Sequence, residues 1–273
     1  MARGAARKKS PTAGEETPER GHSTRELLLL AAERLFAEEG IGSVSMRRIN
    51  NEANQKNVSA LHYHFGSREA IVEAIFEYRM THNNQRRNAM LLEIERDGLH
   101  NDLHSLVRVA IWPLAETLMN AAQPNYFARF NAECHRVPYL DTWNHIRHKA
   151  RRSIAQVYVM IVRCIGDELP RPIVHTRTVM ALRHAVYVLA DLDRVIEQRH
   201  PDMRDEMVLF HTNELIDIIT ADLRAAMSPA TRRAYETLTK KPGHPRGVLL
   251  GPDGLQVHHL AAVEKKARKP SVE

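Results

Sequence analysis

TRELLLLAAERLFAEEGIGSVSMRRINNEANQKNVSALHYHFGSREAI, residues 24 to 71, is the stretch whose pattern decides the fold. Its apolar residues recur at three- and four-residue spacing, and Gly40 and Gly66-Ser67 divide it into helices rather than strands. The first helix is expected from Thr24 to Glu39, with Ser23 or Thr24 as N-cap, Leu28, Ala31, Ala32, Leu35 and Phe36 on one face, and Gly40 as its stop. Two short helices follow near 45 to 52 and 57 to 64, and a long one starts after Gly66-Ser67, runs to Arg96 and is closed by Asp97-Gly98. Three compact helices, the second tied to the third by a short turn, meet the geometric need of a helix-turn-helix: one helix crosses the DNA backbone while the next enters a major groove about 12 Å wide. Leu35, Phe36, Val44, Ile49, Ala53, Val58, Leu61 and Phe65 supply its small core, and Lys56, Asn57, Ser59, His62 and Tyr63 are the polar remainder of the third helix.

Outward from this stretch the same periodicity continues. Helices are expected near 102 to 121, 124 to 136, 141 to 168, 172 to 199 and 203 to 226, with a short one near 229 to 238, punctuated by Pro124, Pro138, Pro170, Pro172 and Pro201. Pro113 lies inside the first of these and is expected to kink it. The fold class is therefore all-α. The organisation reads as a disordered basic arm over 1–22, a helix-turn-helix domain over 23–67, a helical bundle over 68–239 and a disordered basic tail over 240–273. Within the tail, 248–250 and 255–257 flank Gly251-Pro252-Asp253-Gly254 as an isolated hairpin, which is marginal in water.

Of 273 residues, 43% are hydrophobic and 26% charged, ample for a buried core. The net charge of +6 suggests nucleic acid, but the excess sits in the arms. Residues 1–22 hold five basic and three acidic side chains and residues 240–273 hold seven and three, which leaves the body with equal numbers of each sign. Charge alone therefore identifies no reader of DNA sequence. Cys134 and Cys164 form no Cys-x-x-Cys pair and suit a reducing cytoplasm. The longest apolar run, Leu27 to Ala32, is far short of a membrane span, and no apolar segment marks a secretory signal.

No enzyme motif is present: Gly-x-Ser-x-Gly, a Walker loop and Gly-x-Gly-x-x-Gly are missing. Cys134 and His135 are adjacent on a helix, so their side chains point about 100° apart and do not face each other as nucleophile and base. His100 with His104, and His145 with His148, offer two ligands each without a third at metal spacing. Neither catalysis, nor a metal, nor a cofactor is expected. The bulky residues between Leu99 and Tyr187 read as core by default, and Arg151-Arg152 as a solvated helix face.

Thr24-Arg25-x-x-Leu28-Leu29-x-Ala31-Ala32-x-x-Leu35-Phe36-x-x-x-Gly40, Ser45-Met46-Arg47-Arg48-Ile49, Leu61-His62-Tyr63-His64-Phe65 and Arg68-Glu69-Ala70-Ile71 together resemble the N-terminal domain of TetR-family regulators, over about residues 23 to 76. Where the family usually has Ala-Gly-Val-Ser-x-Gly, this chain has Ala53-Asn54-Gln55-Lys56-Asn57-Val58-Ser59-Ala60, one residue longer up to Phe65. Asn54 replaces the turn glycine and tolerates a left-handed backbone. The resemblance implies that Arg25, Ser45, Arg47, Tyr63, His64 and Arg68 touch DNA phosphates, and that Asn57, Ser59, Ala60 and His62 approach base edges.

It also implies a ligand cavity within the bundle, for which Trp112, Phe127, Phe130 and Trp143 are the candidate walls and a mostly apolar small molecule the candidate effector. A twofold homodimer on a palindromic operator is implied too, with recognition helices about 34 to 36 Å apart. Its interface is expected on Val179, Leu182, Ala185, Val186 and Leu189 and on Leu209, Leu215, Ile216, Ile219 and Leu223. The expected function is a ligand-responsive transcriptional repressor. The alternative is an architectural or co-regulator DNA-binding protein without an effector.

Overall fold

The computed structural model describes residues 23–55, 60–119, 125–137, 152–166 and 168–241, with the backbone alone at Ala60. The arm over 1–22, the hairpin segment, Trp143, His145, His148 and Arg151 lie outside the described residues. Ten helices are described: α1 Thr24–Glu39, α2 Met46–Glu52, α3 Ala60–Phe65, α4 Arg68–Arg96, α5 Leu103–Ala115, α6 Phe127–Arg136, α7 Arg152–Cys164, α8 Arg171–Arg199, α9 Arg204–Arg224 and α10 Pro229–Thr239. No strand occurs among the described residues.

Local chemistry sets the ends. Ser23 caps α1 by accepting the Glu26 N–H at 3.3 Å, and Gly40 stops it at φ 85°. Ser67 caps α4, and Asp102 caps α5. Pro113 does more than kink its helix: α5 ends at Ala115 and tightens into a 3-10 turn over Glu116–Leu118, short of the expected 121. Proline's missing N–H and its clash with the preceding turn leave the α-helical ladder without support there. Pro172 instead sits in the first turn of α8, where no donor is lost.

α1 packs on α2, α4 and α6, while α6 packs on α8. Further along, α4 packs on α5 and α7, and α9 on α5 and α8. One aromatic cluster joins the first four helices to the bundle. Phe76 of α4 meets Phe130 of α6 at 5.2 Å between ring centroids and Phe127 edge-on at 5.6 Å, and Phe36 of α1 stacks on Phe130 at 6.3 Å. Beside it Glu33, only 2% exposed, receives Arg79 Nε at 2.8 Å. Burial still holds the Glu33 carboxyl above its ordinary range, against the pull of Arg79 and of the Tyr126 backbone N–H.

The structure corrects the expected dimer stripe. Val179, Ala185, Leu189, Leu215, Ile216, Ile219 and Leu223 are buried within one chain, because α8 and α9 turn these faces onto each other and onto α5 and α6. Of the expected stripe Leu209 stays exposed, and the other large apolar side chains left exposed on these helices are Met180, Tyr187 and Val195 on α8 and Phe210 and Ile218 on α9.

Two expectations follow for stability. Phe130→Ala should cost about 3–5 kcal/mol in urea unfolding, since its aromatic neighbours cannot collapse into the void, whereas Leu92→Ala on an exposed face should stay within about 0.5 kcal/mol. At Asn54, whose φ is 52°, glycine should be tolerated within about 0.5 kcal/mol and valine should cost about 1–2 kcal/mol by the same measurement.

Candidate nucleic-acid interface

The head is built so that one arginine of an adjacent pair is consumed and the other is left outward. Arg48 pairs with Glu39 at 3.3 Å and with Glu52 at 3.5 Å, and Arg34 of α1 pairs with Glu38 and Glu52. This network fastens α2 across α1 and neutralises Arg48. Arg47 points away from it and is exposed. Ser45 caps α2 by accepting the Arg48 N–H at 3.2 Å, so its hydroxyl stands at the positive end of the helix dipole.

The turn after α2 bends at Asn54 in the left-handed region, as its side chain permits. The chain then enters α3. Leu61 is fully buried, whereas His62 is exposed and Tyr63 is 86% exposed. His64 is half-buried between the Tyr63 ring, edge-on at 5.3 Å, and the Phe65 ring at 6.2 Å. Arg25, exposed at the start of α1, lies over Phe65 at 5.1 Å from the ring centroid, which brings a cation beside the end of α3.

Of the expected phosphate contacts, Arg25, Ser45, Arg47 and Tyr63 are thus exposed, and His64 lies among them. Arg68 departs from the expectation. Its Nη2 donates to the Val44 carbonyl at 2.8 Å and its Nε is buried without a partner, so it straps α4 to the segment before α2. Among the expected base readers, His62 is exposed; Asn57 and Ser59, with Lys56 and Val58, lie outside the described residues, as does the side chain of Ala60.

Three of the four expected ligand walls lie among the described residues. Phe127 and Phe130 are packed ring against ring in the joint between head and bundle, which leaves them as core. Trp112 of α5 is 7% exposed, with Arg108 over its ring at 4.8 Å. Cys134 is buried and its thiol is pushed well up, while burial and Arg183 push His135 down to about 4, so both groups are neutral near pH 7. Among the described residues no three His, Cys, Asp or Glu side chains gather as metal ligands, and His104 bonds Asp217 at 2.9 Å. No helix among them is long and apolar enough to cross a membrane.

Sequence reasoning missed the Arg34–Glu52–Arg48 network and the inward turn of Arg68. The i,i+4 spacing of Arg48 and Glu52 was the one local signal available for the first; the second depends on where α4 meets the loop before α2.

Residues 28–75 match bacterial regulatory proteins of the tetR family. A solved structure from Mesorhizobium loti MAFF303099, assigned to the TetR family of transcriptional regulators, is similar at 13% identity and a TM-score of 0.40, covering 72% of this chain and 95% of that one. No curated protein matches. The helix-turn-helix surface lies inside the matched segment, so the head of this chain is similar to the DNA-binding domain of tetR-family regulatory proteins.

Proposed function

We propose that the protein is a dimeric, ligand-responsive repressor whose head reads a palindromic operator and whose bundle senses a small molecule. The observation that carries this reading is α4, a single uninterrupted helix of 29 residues. At its first residue, Arg68, it is strapped to the loop before α2, and beyond the joint it packs on α5 and α7 of the bundle. A rearrangement among α4, α5 and α7 therefore reaches the head through one rigid element.

On DNA, Arg25, Ser45, Arg47, Tyr63 and His64 bind phosphates, and His62 with Asn57, Ser59 and Ala60 addresses base edges. The exposed stripe of Met180, Tyr187 and Val195 with Phe210 and Ile218 meets its symmetry mate, which covers apolar side chains that one chain leaves in water.

Binding to the duplex upstream of the protein's own gene, titrated against a scrambled duplex at physiological salt, should show a preference of about 10³-fold or more at two protomers per site. Tyr63→Ala and Arg47→Ala should weaken binding to both duplexes, and Arg47→Ala should lower the salt slope by about 1. Equal, salt-governed binding to both duplexes would instead favour an architectural role.

The release mechanism is a coupling of two equilibria, and coupling is reciprocal. A compound that releases the operator should bind the operator-bound protein about fivefold or more weakly than the free protein, by calorimetry. Identical affinity in both states overturns the ligand-responsive reading.

A further inference from the structure

The inward stripe of α4 contains a cation that no carboxylate among the described residues pairs with. Met80, Asn83, Arg87, Met90 and Leu91 are all buried, and Arg87 is 3% exposed. Both hydrogen bonds of its guanidinium leave from Nη1, to the Ser153 hydroxyl of α7 at 3.1 Å and to the Asn84 amide oxygen at 3.3 Å. Both acceptors are neutral. Nε is closed off from solvent and makes no hydrogen bond, and no carboxylate among the described residues pairs with the group. Burial pushes the guanidinium down to about 10.

The other arginine buried to this degree is treated differently. Arg129, the second buried arginine among the described residues, donates to Asp193 at 2.5 Å and to Glu197. Arg86, adjacent to Arg87, donates to Glu116 at 2.8 Å. An ion removed from water costs several kcal/mol unless an opposite charge and hydrogen bonds offset it. Ser153 and Asn84 supply hydrogen bonds to Arg87 without that charge.

We propose that Arg87 is the anion-binding residue of the effector site, and that the effector is a monocarboxylic acid with an apolar body, held by the Nε–Nη2 edge of the guanidinium. This rests on the ligand-responsive reading and narrows its ligand. With Nη1 engaged, that edge is the one whose fork matches a carboxylate with two parallel bonds. One uncompensated positive charge is neutralised by one carboxylate, whereas a phosphate dianion would leave a negative charge buried. The body is apolar because α4, α5 and α7, which pack on one another, contribute buried side chains such as Met90, Leu106, Val107 and Val157. Since Nε is closed to solvent, the carboxylate reaches it when α4 and α7 part locally. A ligand that favours the parted arrangement shifts the helix that carries Arg68.

The test is calorimetric titration of the full chain with hexanoate, decanoate, myristate and phenylacetate, each against its matching primary alcohol. At least one acid should bind about tenfold or more tightly than its alcohol, the worth of a charge-assisted pair. Arg87→Met should abolish that difference while still binding operator. Arg87→Lys, which keeps the charge and loses the fork, should fall between them. Native protein that prefers no acid over its alcohol, or an Arg87→Met protein that keeps the preference, overturns the proposal. A neutral compound that releases the operator from native protein also overturns it and leaves the ligand-responsive reading standing. Operator binding that none of these compounds alters overturns the monocarboxylate proposal, while the ligand-responsive reading stands or falls on the reciprocity measurement.

Discussion

The joint of α1, α4 and α6 is the constraint on which the molecule turns. Phe36, Phe76, Phe127 and Phe130 bring one ring from the head, one from the connecting helix and two from the bundle into a single packed cluster. Because interiors are close-packed, such a cluster admits few relative placements of its helices. The buried Glu33–Arg79 pair adds to that contact, with Arg79 Nε donating to both carboxylate oxygens across the helix packing. Head and bundle thus share a core, and the recognition surface inherits its orientation from the same rings that anchor α6 to α4.

Buried charge is handled in three ways within this fold. At the joint, Glu33 is matched by Arg79. Around Asp193, two arginines, Arg129 and Arg204, converge from α6 and α9 on one carboxylate of α8, tying three helices together. At Arg87 the described residues supply hydrogen bonds alone. The contrast with Arg129, buried to the same degree and paired with Asp193 and Glu197, gives the third arrangement its meaning.

The helix ends that were legible in the sequence share a cause. α1 runs from Thr24 to Glu39 as Ser23 and Gly40 require, and α4 runs from Arg68 to Arg96 between Ser67 and Asp97, because caps and glycines act on backbone groups within a turn. The left-handed bend at Asn54 was legible for the same reason. The overshoot of α5 came from treating Pro113 as a kink, when the chain after Ala115 tightens into a 3-10 turn with Leu118 buried. The apolar stripes of α8 and α9 were real, but periodicity does not say whether a stripe meets its own chain or another. Arg87 falls at Met80, Asn83, Met90 spacing, so a helical wheel puts it inward, yet the same wheel cannot show that no acid waits there. Phe127 and Phe130, candidate pocket walls by the family resemblance, are seen to form a joint only when Phe36 and Phe76 are placed against them.

Residue order was enough to establish an all-helical chain, a helix-turn-helix near its start, the left-handed turn and the family's pattern of motifs, since these depend on contacts within a few residues. It could not establish which arginine of Arg47-Arg48 is engaged by acids, that Arg68 faces inward, which apolar stripe stays uncovered, or that Arg87 meets only neutral acceptors among the described residues. Each of these depends on side chains brought together from distant helices, and such encounters exist only once the helices have packed.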